Sequence, residues 1–181
     1  MRNFLKIAEG VDVLPTLTAL QRNPDLWNEN TLRTTHPQSP HTEVDDIWVM
    51  FNRIDPENPA ATIDALQAYP YRAWDVLPHL RTIIFDLMRR VDGIQLGRVI
   101  ISRMKPGAKI APHIDEGAPA TFFTRYQLAL QCRPGCAFTI ENESLQMRPS
   151  EVWLINNRAT HGVVNNSDDD RIACIIDIRS A

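Results

Sequence analysis

The sequence predicts a mainly β protein, a sandwich or barrel with flanking helices, and three observations support this prediction. Short segments of β-type residues recur roughly every 8–12 residues through the second half of the chain, a spacing typical of sandwiches and barrels. Turn sequences such as Lys105-Pro106-Gly107 separate these segments, because proline presets the first φ of a turn and glycine accepts a positive one. The helical patterns lie in the first half of the chain.

Residues 1–93 mix helix and strand signals. A helix is expected over residues 13–21, with Pro15 in its first turn and Asn23-Pro24 ending it. A proline-rich loop over 33–40 and a strand of bulky residues over 46–51 follow, closed by a turn at 55–59. A second helix should run from about residue 77 to 91 and end at Gly93, because one face carries Leu80, Ile83, Ile84, Leu87 and Met88.

Residues 94–181 are expected to form the β core. Strands are predicted over residues 94–104, 122–131, 137–141, 144–147, 152–155, 162–164 and 172–178. A chain of 181 residues suffices for one well-buried core and is short for two ordinary domains. We therefore predict a single domain over residues 1–181, in which the mixed N-terminal part joins this core.

Charge and hydropathy exclude several classes of partner. The formal net charge of −3 provides no basic surface for nucleic acid. Lys6, Glu9 and Asp12 interrupt the stretch where a signal peptide would need apolar residues. The later apolar runs have strand length, far below the roughly 20 residues of a membrane span. We therefore expect a cytoplasmic protein that binds neither nucleic acid nor membrane.

Cysteine content agrees with a reducing compartment. The chain has three cysteines, Cys132, Cys136 and Cys174, and an odd number argues against a disulfide framework. Cys132 and Cys136 flank a turn and could form half of a zinc site, but a second cysteine pair is absent from the sequence. Buried free thiols are therefore the expected state.

Three residues have the types and spacing of a metal-binding site. His113 and Asp115 alternate on an extended segment after a strand and a Pro-Gly turn, so both side chains leave the same face. His161 follows the strand predicted at 152–155, and in a jelly roll such a strand pair lies beside the first metal strand. Two imidazoles and one carboxylate occupy one face of an octahedral ferrous ion and leave the other face open, as in an oxygenase site.

Alternatives exist for the individual residues of this set. A second His-x-acid pair, His41-Thr42-Glu43, has the same spacing but lacks the strand and turn before it. A satisfied core or loop histidine is the alternative for His161. Arg171 opens the apolar strand predicted at 172–178, where a guanidinium is costly unless it is paired. A dicarboxylate co-substrate would pair Arg171; the alternative is a salt bridge to Asp177 or to the loop at 168–170.

Over residues 101–179, a little under half of the chain, the sequence resembles the aspartyl/asparaginyl β-hydroxylase family of Fe(II)- and 2-oxoglutarate-dependent oxygenases. The resemblance lies in ISRMKPGAKIAPHID, then RYQLAL, then IENESLQMRPSEVWLINNRATHGVVNNSDDDRIACIIDIR. It is specific, because the strand, the Pro-Gly turn, His-x-Asp, the Arg-led strand, Glu-Val-Trp, the distal His and the final Arg occur in the family order. The resemblance implies a double-stranded β-helix, the cupin-like jelly-roll barrel.

The resemblance also implies roles for individual positions. His113, Asp115 and His161 match the iron ligands of the family. Arg171 matches the arginine that holds the distal carboxylate of 2-oxoglutarate, and Ser102 matches a serine that assists it.

A second group of residues is expected to contact the substrate or the other end of the co-substrate. Arg125 and Gln127 fall where the family often has Arg-x-His, which contacts the other end of the co-substrate or the substrate. Gln127 departs from that pattern, because an amide lacks the charge of an imidazole. Arg125 would pair with a substrate carboxylate, and His41 and Arg53, around a strand edge, are further candidates for substrate binding. Ser150 stands where glycine is more usual, which should alter a turn and not the chemistry.

The implied function is that of an Fe(II)- and 2-oxoglutarate-dependent dioxygenase. Such an enzyme hydroxylates an unactivated C–H bond with O2 and releases succinate and CO2. The substrate would be an amino acid, a peptide or protein, or a related small acid. Because a fold does not fix function, a non-catalytic cupin-like module that holds a metal or a small acid is the alternative. A purely structural interaction protein would require all the matching positions to be coincidental.

Overall fold

The computed structural model describes residues 2–59 and 63–181. The strands of these residues are β1 (Phe4–Ala8), β2 (Val44–Phe51), β3 (Tyr69–Pro70), β4 (Gly93–Met104), β5 (Lys109–His113), β6 (Thr124–Gln131), β7 (Cys136–Ile140), β8 (Glu143–Leu145), β9 (Val152–Ile155), β10 (His161–Asn165) and β11 (Arg171–Ser180). The helices are α1 (Leu14–Arg22), a 3-10 turn (Pro24–Leu26), α2 (Leu32–Thr35), α3 (Arg72–Val76), α4 (Pro78–Arg90) and α5 (Gly117–Phe122).

The strands form two antiparallel sheets. The larger sheet has the order β1-β9-β6-β11-β4-β2-β3, and the smaller sheet has the order β5-β10-β7-β8. Strands from residues 1–93 join the larger sheet, because β1 pairs with β9 and β2 pairs with β4. The mainly β jelly-roll architecture with few helices, expected from the sequence, is confirmed.

The outer face of the larger sheet is apolar and packs against α1 and α4. Leu80, Ile84 and Leu87 of α4 are buried at three- and four-residue steps, as the sequence periodicity predicts. They share one hydrophobic core with outward-facing strand residues that include Val49, Ile101 and Ile176. Burying each such side chain stabilises the fold by about 1.5–3 kcal/mol. Packing of the outer face therefore stabilises the sheet whose inner face carries the polar residues.

The inner face of the larger sheet is apolar at its two ends and polar between them. At one end, Met104 and Ala129 pack against Phe138 and Val163 of the smaller sheet. At the other end lies a separate cluster of Trp48, Phe51, Ile100 and Ile175. Strand alternation places Ser102 between Met104 and Ile100 along β4, and Gln127 precedes Ala129 by the same two-residue step along β6. The polar middle of this face therefore contains Ser102 and Gln127, two of the candidate site residues.

The structure differs from the sequence predictions in several elements; β3, β5 and α3, for example, were not predicted as strands or helix. The strand predicted over 122–131 begins at Thr124, because the residues before it form α5. The loop predicted over 33–40 starts within α2. Strand β1 was not predicted; it is five residues long, and its partner β9 lies far along the chain, so no local pattern identifies it.

Two smaller expectations are met. Ser150 has a φ of +73°, the left-handed region that glycine adopts freely, so this position lies in a turn as expected. Cys132, Cys136 and Cys174 are all buried and free. Among the described residues, every helix is too short or too polar to cross a bilayer.

Candidate active site

Strand pairing brings the two predicted histidine ligands together. His161, the first residue of β10, is the register partner of His113, the last residue of β5, and their ring centroids are 4.3 Å apart. Asp115 follows two residues after His113, and its Oδ1 lies 3.5 Å from His113 Nε2 and 4.0 Å from His161 Nε2. One ligand atom from each residue lies within 4.8 Å of the others. The predicted convergence of these three side chains is therefore confirmed.

Each histidine is held by a backbone carbonyl. His113 Nδ1 lies 2.8 Å from Ala111 O, and His161 Nδ1 lies 3.0 Å from Ala159 O. A carbonyl oxygen only accepts hydrogen bonds, so each Nδ1 carries the proton and donates it. In the neutral imidazole, this tautomer leaves a lone pair on Nε2, through which the ring can bind a metal.

Asp115 is held through one of its two oxygens. Its Oδ2 accepts a hydrogen bond from Asn157 Nδ2 at 3.1 Å and forms an ion pair with Arg125 Nη1. Oδ1 faces the histidines. Burial acts to raise the pKa of Asp115, but the Arg125 guanidinium and the hydrogen bonds lower it, and the net pKa lies well below its ordinary value. The carboxylate is therefore ionised and presents one oxygen to a cation.

Arg125 bridges this ligand to a second carboxylate. Register pairs Arg125 of β6 with Asp177 of β11, and Nε and Nη2 donate to the two Asp177 oxygens at 2.8 and 2.9 Å. All three of its nitrogens thus contact Asp115 or Asp177. The sequence analysis predicted that Arg125 pairs with a substrate carboxylate; the structure instead engages it with two carboxylates of the chain.

Arg171 has different surroundings at the start of β11. It is only 3% exposed, and its Nη2 donates to Gln127 Oε1 at 3.0 Å while Nη1 lies 3.8 Å from Met104 Sδ. Among the described residues, no carboxylate lies within ion-pair distance of it. The alternative salt bridges are not formed, because Asp177 binds Arg125 and the acidic loop at 168–170 binds Lys105 and Arg133.

Ser102 adds a second unsatisfied donor on the same face. In β4, Met104 is the register partner of Arg171, and Ser102, two residues earlier, is the partner of Ala173. Ser102 is 2% exposed, and its Oγ has no hydrogen-bond partner in the part of the chain that the structure describes. A buried guanidinium without a carboxylate partner and a buried hydroxyl without an acceptor are uncommon in folded proteins, and together they fit a carboxylate ligand.

The observation that decides the family is a sequence match over most of this region. The model of the family described as aspartyl/asparaginyl beta-hydroxylase matches residues 60–181, which include every residue of the site described so far. The chain belongs to the aspartyl/asparaginyl β-hydroxylase family. It is therefore a hydroxylase by family, as the sequence resemblance implies. No curated protein sequence gives a significant match.

Solved structures agree on the fold of this hydroxylase. A prolyl hydroxylase from Trichoplax adhaerens, in complex with a hypoxia inducible factor peptide fragment, has a TM-score of 0.64 at 13% identity, covering 98% of this chain and 84% of its own. A Pseudomonas putida prolyl-4-hydroxylase has a TM-score of 0.55 at 14% identity, covering 100% and 94%. A Burkholderia pseudomallei 2OG-Fe(II) oxygenase family protein has 0.56 at 16%, covering 75% of this chain, which spans 66% of that one. At these identities the likeness shows the jelly-roll fold.

Of the two other residues predicted to bind substrate, His41 lies beside the metal ligands of the hydroxylase, and Arg53 contacts Tyr69 instead. The ring of His41 contacts His113 edge-on at 5.0 Å between centroids, and its Nδ1 is buried without a partner. Burial lowers the pKa of His41 to about 2, so the ring is neutral. Arg53 is exposed and stacks over the Tyr69 ring at 4.3 Å, and no contact among the described residues joins it to the three ligands.

Sequence analysis missed Asn157 and Arg98, which lie near the site. It considered Asp177 as a partner of Arg171, whereas Asp177 pairs with Arg125. Asp177 had a signal, because a single acidic residue within the apolar run 172–178 must find a partner when buried. Asn157 and Arg98 had none, since their proximity to the site depends on strand register and loop path.

Proposed function

We propose that this chain is an Fe(II)- and 2-oxoglutarate-dependent dioxygenase that hydroxylates an unactivated C–H bond and releases succinate and CO2. The observation that supports the proposal most is the donor set at the site. Two imidazoles with free Nε2 atoms and one carboxylate oxygen point to a common centre. That set is typical of the facial triad that binds ferrous iron and leaves positions open for other ligands.

The residues present fit both the metal and the co-substrate. His113, Asp115 and His161 would hold the iron. Arg171 and Ser102 would hold the distal carboxylate of 2-oxoglutarate, which would supply a negative charge to pair with Arg171 and an acceptor for the Ser102 hydroxyl. Gln127 Oε1 accepts a hydrogen bond from Arg171 Nη2 and so fixes the direction of the guanidinium.

Each group of the chain has a separate task in the reaction. When bound, iron with 2-oxoglutarate and O2 supplies the oxidant for C–H hydroxylation. Ala111 O and Ala159 O keep the histidine protons on Nδ1, away from the metal side. Arg125 and Asn157 hold Asp115 ionised and aimed. The burial of Arg171 keeps water from weakening its pairing with an incoming carboxylate.

The substrate and setting follow from the sequence predictions. We propose an amino-acid, peptide or protein, or related small acidic substrate. His41 remains a candidate for substrate contact because it lies beside His113; Arg53 is a weaker one. We also propose a single domain and a cytoplasmic location without a nucleic-acid partner, from the chain length, the acidic net charge and the free cysteines.

Spectroscopy under anaerobic conditions tests the proposal. Purified protein with ferrous iron and 2-oxoglutarate should develop a metal-to-ligand charge-transfer absorbance band, and on admission of O2 it should release succinate slowly even without substrate. His161→Ala should abolish both signals. The matched control is His79→Ala, which removes an exposed histidine on α4 and should change neither.

Each outcome separates the alternatives. A band with no succinate release would favour a cupin-like binding module that holds metal and acid without turnover. Absence of both in the unmodified protein would refute the proposed function. A His161→Ala variant that keeps the band would show that the metal lies elsewhere.

A further inference from the structure

A third arginine, Arg98, lies on the same sheet face as the site. It precedes Ile100 and Ser102 on β4 by two-residue steps, so all three side chains point inward. The guanidinium lies 4.5 Å over the ring of Phe51. Its Nε donates to Asn52 Oδ1 at 2.9 Å, and its Nη2 donates to the backbone carbonyl of Ile63. These contacts hold the guanidinium in one orientation.

Within residues 2–59 and 63–181, Arg98 forms no ion pair. Its two hydrogen-bond acceptors are neutral oxygens, and among the described residues no carboxylate lies within ion-pair distance of it and Nη1 has no acceptor. Asp177, Asp64 and Asp115 lie close enough to act on it electrostatically. Asp177 and Asp115 are already paired with Arg125, and Asp64 is exposed to solvent and forms no ion pair with Arg98 among the described residues. Burial lowers the pKa of Arg98 to about 10, so it remains a cation at neutral pH.

The surface beside Arg98 is apolar and aromatic. Trp48 stacks on Phe51 with ring centroids 3.9 Å apart, and both pack with Ile100 and Ile175. Trp48 is the register partner of Ile100, so it is a diagonal neighbour of Arg98 on the sheet. Its indole Nε1 is buried and has no hydrogen-bond partner among the described residues. This part of the inner face therefore offers an apolar wall and donors, and Asp64, the carboxylate that acts on Arg98 and is not paired with Arg125, is exposed to solvent.

We propose that Arg98 is the residue that binds a carboxylate of the substrate, in the role that the sequence analysis gave to Arg125. The inference rests on the proposed function and names the substrate class for the same site. Arg171 would serve the co-substrate, Arg125 the metal ligand Asp115, and Arg98 the substrate. The carboxylate comes either from a free amino acid or from an acidic side chain within a peptide, and the test below distinguishes these sources.

The test measures succinate released above the substrate-free rate. The probes are the free L-amino acids, the α-carboxamide of each one that stimulates, and the blocked residues N-acetyl-aspartyl amide and N-acetyl-asparaginyl amide. Stimulation by a free amino acid but not by its carboxamide identifies an α-carboxylate. Stimulation by the blocked aspartate but not by the blocked asparagine identifies a side-chain carboxylate. In either case the neutral analogue should have a kcat/KM lower by about 30-fold or more.

Variants assign that preference to Arg98. Arg98→Gln should raise KM for the carboxylate probe by about 30-fold or more and abolish the preference over the amide, while Arg98→Lys should restore part of it. The matched control is Arg103→Gln on the same strand. Arg103 faces the opposite side, where it binds Asp45 and stacks 4.2 Å from the Trp27 ring, so its loss should leave KM unchanged. A role of Arg98 limited to holding Ile63 would lower all rates without changing the preference.

The outcomes distinguish this inference from the proposed function. The absorbance band with iron and 2-oxoglutarate and the substrate-free succinate release should persist in Arg98→Gln and Arg98→Lys. If the unmodified protein shows both signals but no carboxylate probe stimulates, or amides serve equally well, or Arg98→Gln keeps the preference, Arg98 does not bind the substrate and the proposed function stands. If both signals are missing from the unmodified protein, the proposed function fails first and this inference fails with it.

Discussion

Arg125 and Arg171 lie on adjacent strands of one sheet face, yet their guanidiniums have opposite partners. Arg125 contacts two carboxylates with all three nitrogens. Arg171 contacts an amide oxygen and a thioether sulfur. The pKa of each responds accordingly: burial lowers both, but Asp115 and Asp177 more than offset this for Arg125 and raise its pKa, whereas the pKa of Arg171 stays lowered.

This difference separates a structural charge from a charge that needs a ligand. The pairing of Arg125 is complete within the chain, so its role is to hold Asp115 and Asp177 in place. The pairing of Arg171 is incomplete, and a buried cation in that state destabilises the protein until an anion arrives. Unpaired buried charge is therefore a better guide to a binding site than arginine content alone.

The largest effect should follow from breaking the paired arginine. Arg125→Met leaves Asp115 and Asp177 without their cation, and the free energy of unfolding of the metal-free protein should fall by about 3–5 kcal/mol. Chemical denaturation at neutral pH measures this change. Arg133→Met is the control, because it removes an exposed pair with Asp169 worth about 0–1 kcal/mol. A loss below about 1 kcal/mol for Arg125→Met would mean that the bridge is not structural.

The unpaired arginine should respond with the opposite sign in stability. Arg171→Met removes a buried charge that has no carboxylate partner, so the free energy of unfolding should stay unchanged or rise by up to about 3 kcal/mol. The apparent KM for 2-oxoglutarate should meanwhile rise by about 100-fold or more, since one side of a buried charge pair is lost. A large loss of stability would show that Arg171 holds the fold instead of a ligand.

A third substitution should convert one kind of arginine into the other. Gln127→Glu places a carboxylate where Arg171 Nη2 already donates, so Arg171 becomes paired as Arg125 is. We expect the protein to gain about 1–2 kcal/mol in stability and the KM for 2-oxoglutarate to rise by about 10- to 30-fold. Gln127→Met, which has similar size and no charge, is the control and should not gain stability. Unchanged KM in Gln127→Glu would place the co-substrate carboxylate away from Arg171.

The smallest effect concerns the hydroxyl beside Arg171. Ser102→Ala removes a buried group that has no partner within the chain, so stability should change by less than about 1 kcal/mol. If Ser102 donates to the co-substrate, KM for 2-oxoglutarate should rise by about 3- to 10-fold, the equivalent of roughly 1 kcal/mol for one hydrogen bond. Steady-state succinate release measures it. An unchanged KM would restrict the carboxylate pocket to Arg171.

The fold could be predicted wherever the sequence carries a local pattern. Helix α4 and strands such as β9 were expected close to their observed bounds because apolar spacing and flanking turns are local properties. Strand β1 and helix α5 were not, because β1 depends on pairing with distant β9 and α5 is a six-residue helix without a periodic face. Short elements held by tertiary contacts leave little trace in sequence.

The site could be predicted as far as residue type and order determine it. The metal triad and Arg171 were expected, and the structure brings the triad together. The substrate role expected of Arg125 stays a prediction, and its contact with Asp177 could not be predicted, because only the register of β6 with β11 shows that Asp177 lies opposite it. Arg98 was overlooked for the same reason: nothing in a strand sequence says which of its arginines lacks a carboxylate across the sheet.

The carbonyl oxygens of Ala111 and Ala159 have a consequence for how this centre can evolve. They fix the proton of each imidazole through the main chain, so replacing either alanine side chain leaves the acceptor where it is. Asp115 depends instead on Arg125 and Asn157, both of which mutation can exchange. Substitutions can therefore change the position of the carboxylate more readily than that of either imidazole. We expect differences in iron affinity among relatives to arise at the residues that contact this carboxylate.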